Sequence, residues 1–408
     1  MSTEIIHESP SLKGAASDYW SRVKAGDIGA LPAILGLIVL CAIFGAMSDV
    51  FLTPGNFANL LTQAAAVIVI AMGLVFVLLL GEIDLSAGFA AGVSGAVLVI
   101  LITNHDVAWY IAFPISIMVG GLLGFILGTL VARVGIPSFV VTLAAFLAFQ
   151  GLLLLLAGEG GTIRIEDKTI LAVQNSNLSP ILSWVFFIVV AVAYVGTGLN
   201  RINTRRRAGL KSELVKLWVI KTTSLLLITG GAVFALTVER SNNPDLVSLK
   251  GIPYVVPLIL FLLAVGTFVL GRTAFGRHIY AVGGNAEAAR RAGINVKRVR
   301  IAAFVICSAL AAVAGMIFAS RQNSISPTTG GSSTLLYAVG AAVIGGTSLF
   351  GGKGKMRDAI LGGLVVAVID NGMGLLGYAA GIKFIVTGLV LLVSAGVDAV
   401  SRRGSSVS

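Results

Sequence analysis

From residue 32 to residue 399 the chain is a run of long apolar segments separated by short polar gaps. Twelve segments stand out: 32–48, 59–80, 85–103, 109–132, 139–157, 181–199, 218–238, 254–271, 301–319, 335–350, 358–377 and 383–399. Most reach the roughly 17 to 25 apolar residues that carry a helix across a bilayer. Lipid cannot satisfy backbone N–H and C=O groups, so spanning segments must be helices or a closed barrel. These runs lack the alternation of barrel strands. The expected fold class is therefore an all-α polytopic integral membrane protein with about 10–12 transmembrane helices. The shortest segment, 335–350, reads equally as a re-entrant or broken helix. One transmembrane domain is expected over 32–400, between an N-terminal arm, 1–31, and a tail, 401–408.

Charge fixes the expected orientation. The chain carries 29 Lys and Arg against 18 Asp and Glu, a net charge of +11. With the N-terminus inside and the sides alternating, 22 of the 29 basic residues fall on inside pieces. The richest are loop 200–217, with Arg201, Arg205, Arg206, Arg207, Lys211 and Lys216, and loop 272–300, with Arg272, Arg277, Arg290, Arg291, Lys297, Arg298 and Arg300. That asymmetry follows the positive-inside rule and places both termini in the cytoplasm. Basic charge used for topology leaves no reason to expect nucleic acid as a partner. Residues 1–31 have no apolar core and read as a cytoplasmic arm, with a short amphipathic stretch at Asp18–Asp27.

Little catalytic chemistry is visible. Thr347 to Gly354 is the nearest approach to a phosphate-binding loop, and both its first and last positions are wrong. His7, His105 and His278 are scattered, and Cys41 and Cys307 lie in apolar segments, so neither a metal site nor a disulfide is expected. Ionisable groups at membrane depth are few, chiefly Lys221, Asp370 and Lys383, with Glu82 and Asp84 at a break. An ion-driven carrier usually needs more of them. Lys221 lies near enough to the inside edge to snorkel, and Gln63 and Gln150 read as interhelix hydrogen-bonding groups. Gly120, Gly124 and Gly128 have the spacing for close helix packing. Two Gly-rich breaks, Gly81–Gly88 and Gly345–Gly354, lie in opposite halves of the chain, as in a duplicated architecture.

Loop 272–300 carries the most informative segment, Gly283-Gly284-Asn285-Ala286-Glu287-Ala288-Ala289-Arg290-Arg291-Ala292-Gly293. Asn285 is a suitable N-cap, Glu287 and Arg291 form an i,i+4 pair, and Gly293 suits a left-handed C-terminal position. The spacing predicts a short exposed cytoplasmic helix over 285–293, with Ala288 and Ala289 giving a face for close approach. A helix in a loop with no domain to rest on suits docking to a partner.

Glu287-Ala288-Ala289 followed three residues later by Gly293 resembles the first half of the EAA motif of ABC-importer permeases. The Ile-x-Leu-Pro half is absent, as in the monosaccharide branch. Arg272 to Asn285, Gly293 to Val296, Glu82-Ile-Asp84-Leu-Ser86, Pro137 to Leu143, Val343 to Ser348 and Asp370-Asn371-Gly-Met373 resemble the ribose/xylose-type permeases in order and spacing. Xylose permeases are the nearest likeness, from the insert carrying Arg205 to Glu239 and the Asp370–Met373 stretch. Two departures are Leu335-Leu336-Tyr337, where relatives tend to be acidic, and Lys353-Gly-Lys355-Met-Arg357, where a neutral run is usual.

The resemblance implies the transmembrane subunit of a bacterial inner-membrane ABC importer for a monosaccharide, D-xylose favoured over ribose or galactose. It implies a homodimer, a cytoplasmic ATPase that binds ATP and Mg, an extracytoplasmic sugar-binding protein, no cofactor in this chain and no enzymatic activity of its own. It assigns ATPase coupling to Asn285, Glu287, Ala288, Ala289, Arg290 and Gly293. Glu82, Asp84 and Ser86 are read as path or gate residues, with helix capping as the alternative for the two acids. Asp370 and Asn371 are read as path residues, or as an interhelix hydrogen-bonding pair. An ion-gradient-driven carrier using Asp84 or Asp370 is the competing class, and a membrane scaffold without solute flux is a third.

Overall fold

The computed structural model describes residues 31–158, 161–208, 215–241, 243–245 and 247–405. Nearly all of the expected arm, including Asp18–Asp27, lies outside the described residues, as do 209–214 of the basic loop and 406–408 of the tail. The helices are α1 (Leu31–Met47), α2 (Pro54–Leu78), α3 (Ala87–Thr103), α4 (Trp109–Thr129), α5 (Ser138–Ala157), α6 (Lys168–Asn175), α7 (Pro180–Arg207), α8 (Val215–Thr237), α9 (Val255–Arg272), α10 (Ala274–Gly284), α11 (Ala286–Arg291), α12 (Val296–Gln322), α13 (Ser332–Ile344), α14 (Met356–Leu375) and α15 (Ala380–Ser405). A π turn, Leu130–Val134, extends α4, and β1 (Ile163–Arg164) pairs antiparallel with β2 (Ser324–Ile325).

Among the described residues, eight helices are long and apolar enough to cross a membrane: α2, α4 with its π turn, α5, α7, α8, α9, α12 and α14. Four shorter apolar helices, α1, α3, α13 and the part of α15 up to Gly396, account for the remaining segments of the sequence pattern. The chain is an all-α polytopic membrane protein. Within the 32–400 region packing falls into two units, one comprising 29–176 with 253–399 and the other built on 177–252.

In the larger unit α12 is the central helix, packed against α2, α3 and α4. Small residues make this possible. Apolar lipid tails leave no hydrophobic gain between helices, so close backbone packing must hold them together. A Cβ on Gly124 would overlap the Phe304 carbonyl oxygen, one on Gly73 would lie 3.1 Å from the Cys307 Cα, and one on Gly120 would lie 2.9 Å from the Ala312 methyl. The Gly120-Gly124-Gly128 stripe thus seats α4 on α12. Phe304, Cys307, Ala311 and Ala314 fill the centre at 1% exposure or less.

α13 is shorter than a full span. Its 13 residues rise about 20 Å, short of a hydrocarbon core of about 30 Å. The chain reaches it through a turn at 327–330 that packs against α3, where added Cβ atoms at Gly92 and Gly88 would overlap the carbonyls of Thr329 and Gly330. A non-helical backbone at this depth is tolerated because it is buried in protein. Of the 335–350 segment, the helix takes residues up to Ile344 and the remainder is non-helical.

The smaller unit is the α7–α8 hairpin. Ser179 caps α7, accepting from Leu182 N–H at 3.3 Å, and Pro180 occupies the first turn. Arg205, Arg206 and Arg207 lie in the last turn of α7, so the helix runs into what the sequence reads as loop. Cations there complement the helix dipole. Both helices expose most of their apolar surface, as lipid-facing helices do. Beyond α8, Glu239 accepts hydrogen bonds from the N–H groups of Leu249, Ser241 and Arg240 and from the Ser248 hydroxyl.

Candidate functional site

The larger unit has two polar centres. They lie near opposite ends of α2, about 35 Å apart along the axis from Asn56 to Leu79.

The first centre is built around α11. Asn285 leaves the helical region (φ −159°, ψ 102°) and its side chain accepts from Ala288 N–H at 2.9 Å, so the helix starts where the sequence predicts. Glu287 Oε1 accepts from Arg290 at 2.9 Å and Arg291 at 3.2 Å. Those two hydrogen bonds hold the Glu287 carboxyl below its usual pKa, and the same pairing raises Arg290. Gly293 at φ 84° closes the helix, with Gly293 N–H on the Arg290 carbonyl and Ile294 N–H on the Ala289 carbonyl, both at 3.0 Å. Glu287, Ala288, Arg290 and Arg291 are exposed, whereas Ala289 is buried. Adjacent helical positions are about 100° apart, so the two alanines cannot share one face. Ala288 alone is open to a partner.

α11 is held by α10, a helix the sequence reading misses. Thr273 caps α10, accepting from Gly276 N–H at 3.1 Å, and Gly276, Ile279 and Val282 turn inward. The i, i+3, i+6 spacing of these small and apolar positions after a threonine was the available signal. Tyr280 OH donates to the Gly354 carbonyl at 2.7 Å, and burial with the nearby Asp358 raises its pKa. At the end of α10, Gly283 touches two other segments at once. A Cβ there would overlap the Leu79 carbonyl oxygen and sit 2.8 Å from the Gly352 nitrogen. Gly352 N–H itself donates to that Leu79 carbonyl at 2.8 Å. The two Gly-rich breaks of the sequence therefore meet each other beneath the α10–α11 segment.

The residues of the first break are fixed within this junction. Glu82 Oε1 lies 3.1 Å from Arg300 Nε, tying the break to the first turns of α12. Asp84 is fully buried, and its Oδ1 accepts from the Ser86 N–H at 2.8 Å and the Ser86 hydroxyl at 2.6 Å. The Cys307 thiol and the Ala87 N–H lie beside the same carboxylate. Asp84 thus closes a turn onto Ser86, the residue that precedes the first turn of α3. Ile83 bonds to α5 through Ser138 Oγ at 3.3 Å and Thr142 Oγ1 at 3.2 Å. In the second break Asp358 Oδ2 accepts from Lys355 N–H at 2.7 Å and from Thr347 Oγ1 at 3.4 Å. Lys353 and Lys355 are exposed on the loop that meets α10 through Gly352 and Gly354.

The second centre joins α2, α14 and α15. Asn56 and Asn371 exchange two amide hydrogen bonds, each 2.9 Å, and both are buried. Gln63 Nε2 donates to Asp370 Oδ2 at 2.6 Å, and Gln63 Oε1 accepts from Asn371 at 3.5 Å. Lys383 Nζ is 3.4 Å from Asp370 Oδ1. Asp370 also lies within electrostatic reach of Arg321 and Tyr337. Of the sequence-derived path residues, Asn371 is thus an interhelix pair, Asp370 is an ion-paired carboxylate, and Glu82, Asp84 and Ser86 belong to the other end. Gln63 is the interhelix group expected. Arg321, Tyr337 and Lys383 were not grouped with Asp370, because sequence separation hides them.

No cluster of His, Cys, Asp and Glu with metal-holding geometry occurs among the described residues. Residues 56–395 match the family described as branched-chain amino acid transport system / permease component. The chain is 35% identical to the xylose transport system permease protein XylH of Escherichia coli, over 95% of this chain and 96% of that protein. It is 32% identical to XylH of Haemophilus influenzae, over 94% and 99%, and 28% identical to the ribose import permease protein RbsC of the same organism, over 90% and 92%. No solved structure matches. A helical bundle carrying an exposed, capped loop helix over two interlocked breaks, together with a family match across most of its length, shows that the chain belongs to the permease-component family of ABC importers, a transport subunit and not an enzyme.

Proposed function

We propose that the chain is the permease subunit of an ATP-driven importer for a monosaccharide, with D-xylose the first substrate to test and ribose or galactose next. The similarity to the xylose permeases supports the sugar. The observation that carries the mechanism is the seating of α11, whose Glu287, Ala288, Arg290 and Arg291 are exposed while Gly283 packs against Leu79 and Gly352. In this reading the α11 end faces the cytoplasm and a partner ATPase grips the helix. ATP and Mg belong to that partner. Closure of the ATPase pushes α11, and the tight packing at Gly283 passes the displacement to both breaks without slack. Glu82–Arg300 carries it to α12, the central helix. Two copies of the chain enclose the path, and an extracytoplasmic binding protein delivers sugar at the opposite end.

The test is Glu287→Lys, which places a third cation beside Arg290 and Arg291 on the exposed face. The variant should insert normally, yet lose most ATP-dependent uptake and most co-purification with the ATPase. Wild-type uptake in a correctly inserted Glu287→Lys protein would sink the coupling role of α11.

A further inference from the structure

We propose that Gln63, Asp370, Lys383, Tyr337 and Phe384 form a contact station for the sugar in the half of the membrane opposite α11. The inference rests on the reading of the chain as a sugar permease.

The Asn56–Asn371 exchange is closed: each amide satisfies the other and both are buried. The Asp370–Lys383 pair beside it is not. Their side chains remain 27% and 20% exposed, on either side of the α14–α15 turn, with Lys383 in the first turn of α15. Asp370 lies five residues before the end of α14, and Gln63 lies nine residues into α2, about 14 Å from its start. A charged pair opening onto hydrocarbon is costly, so the open side of this pair is wet. In the sugar-permease reading this wet opening, at the end opposite α11, belongs to the solute path.

The chemistry at that opening is specific. Asp370 takes one hydrogen bond from Gln63 and one ion pair from Lys383, which leaves acceptor capacity on the carboxylate. Lys383 has three donors and Asp370 as its one described partner. Tyr337 lies on α13, half-buried and within electrostatic reach of Asp370. Its ring centroid is 6.2 Å from that of Phe384, which is 52% exposed. Spare acceptors and donors beside an aromatic surface suit a polyol with hydroxyls on its edge and C–H groups on its face. Asp370 faces the cations of both Lys383 and Arg321, and a neutral polyol can bond to these groups without displacing them. The Leu335–Tyr337 departure from the family pattern thus falls on the station itself, making Tyr337 a residue that tunes which sugar passes.

The experiment uses the complete importer, permease with its cognate ATPase and binding protein, in proteoliposomes loaded with ATP. Asp370→Asn, Tyr337→Phe and Phe384→Leu are compared with wild type for labelled xylose uptake and for binding-protein-stimulated ATP hydrolysis. The expected result is a fall in uptake of about tenfold for Asp370→Asn, with hydrolysis within about twofold of wild type. Tyr337→Phe and Phe384→Leu should shift the ranking of competing sugars. A merely structural role would lower uptake and hydrolysis together and leave the ranking unchanged, and that result overturns the inference. Accessibility gives a second arm. Phe384→Cys should react with a charged, membrane-impermeant thiol reagent faster than wild type, and xylose with binding protein should slow it. Leu392→Cys, on α15 and 69% exposed, should stay inert as a lipid-facing control. Modification no faster than in the wild type overturns the inference alone, while wild-type importer with no ATP-dependent xylose uptake overturns the reading beneath it.

Discussion

Gly283 and Gly284 are neighbours, indistinguishable in the sequence, and the structure assigns them opposite sensitivities. A Cβ on Gly283 would overlap the Leu79 carbonyl oxygen and press to 2.8 Å on the Gly352 nitrogen, whereas one on Gly284 meets nothing within 4 Å. Gly283→Ala therefore forces α10 away from both breaks. Overpacking of this kind costs about 1–3 kcal/mol. That cost against the coupled geometry corresponds to roughly a five- to hundredfold loss, since 1.4 kcal/mol is a factor of ten. Gly284→Ala should instead stabilise the end of α10 by up to about 1 kcal/mol, because glycine is a poor helix former. The assay is ATP-driven sugar uptake per ATP hydrolysed in proteoliposomes. Gly283→Ala should hydrolyse ATP with little uptake, and Gly284→Ala should match wild type. Equal behaviour of the two variants would refute the claim that Gly283 transmits the stroke.

Three further outcomes are expected. Asn371→Leu leaves the buried Asn56 amide short of a partner and should cost about 1–3 kcal/mol, while the Asn56→Leu/Asn371→Leu double variant should recover much of it; thermal unfolding in detergent would show whether the double is no better than the single. Lys353→Glu/Lys355→Glu reverses charge on an exposed loop packed against α10 and should weaken ATPase association severalfold, more at low than at high salt; an effect independent of salt would contradict an electrostatic contribution. Glu239 is held down to about 2 by hydrogen bonds from Leu249, Ser241 and Ser248, against an ordinary value of 4.5. Because the folded value is depressed, its stabilisation of the 238–251 turn is present above pH 4.5 and is lost as pH falls from 4.5 toward 2; corrected hydrogen exchange of the Leu249 amide should accelerate over that window, and flat protection would contradict it.

The spans were legible because lipid imposes a strong and local rule: a run of apolar residues long enough to cross. α11 was legible because its Asn285 cap, Glu287–Arg291 pair and Gly293 stop are all local. The tertiary facts were not. α10 was missed because its Gly276, Gly283 and Gly284 depress helix propensity, and only packing against α9, Leu79 and Gly352 explains the first two. The partition of Ala288 outward and Ala289 inward depends on where α11 sits, not on its composition. Asp370 could be singled out as an acid in an apolar segment, but its partner Gln63 is 307 residues away, so the grouping with Lys383 and Tyr337 needed the fold. The two Gly-rich breaks suggested a repeat, and the structure adds that they touch.

The central claim is that this chain moves sugar with energy supplied by a partner ATPase. The most direct measurement is uptake of labelled xylose by proteoliposomes containing the chain, its cognate binding protein and either active or catalytically dead ATPase, with and without an uncoupler. The account predicts uptake that requires the active ATPase and survives the uncoupler. Uptake that persists with the dead ATPase and collapses with the uncoupler would contradict it and move the energy source to an ionisable group within the chain.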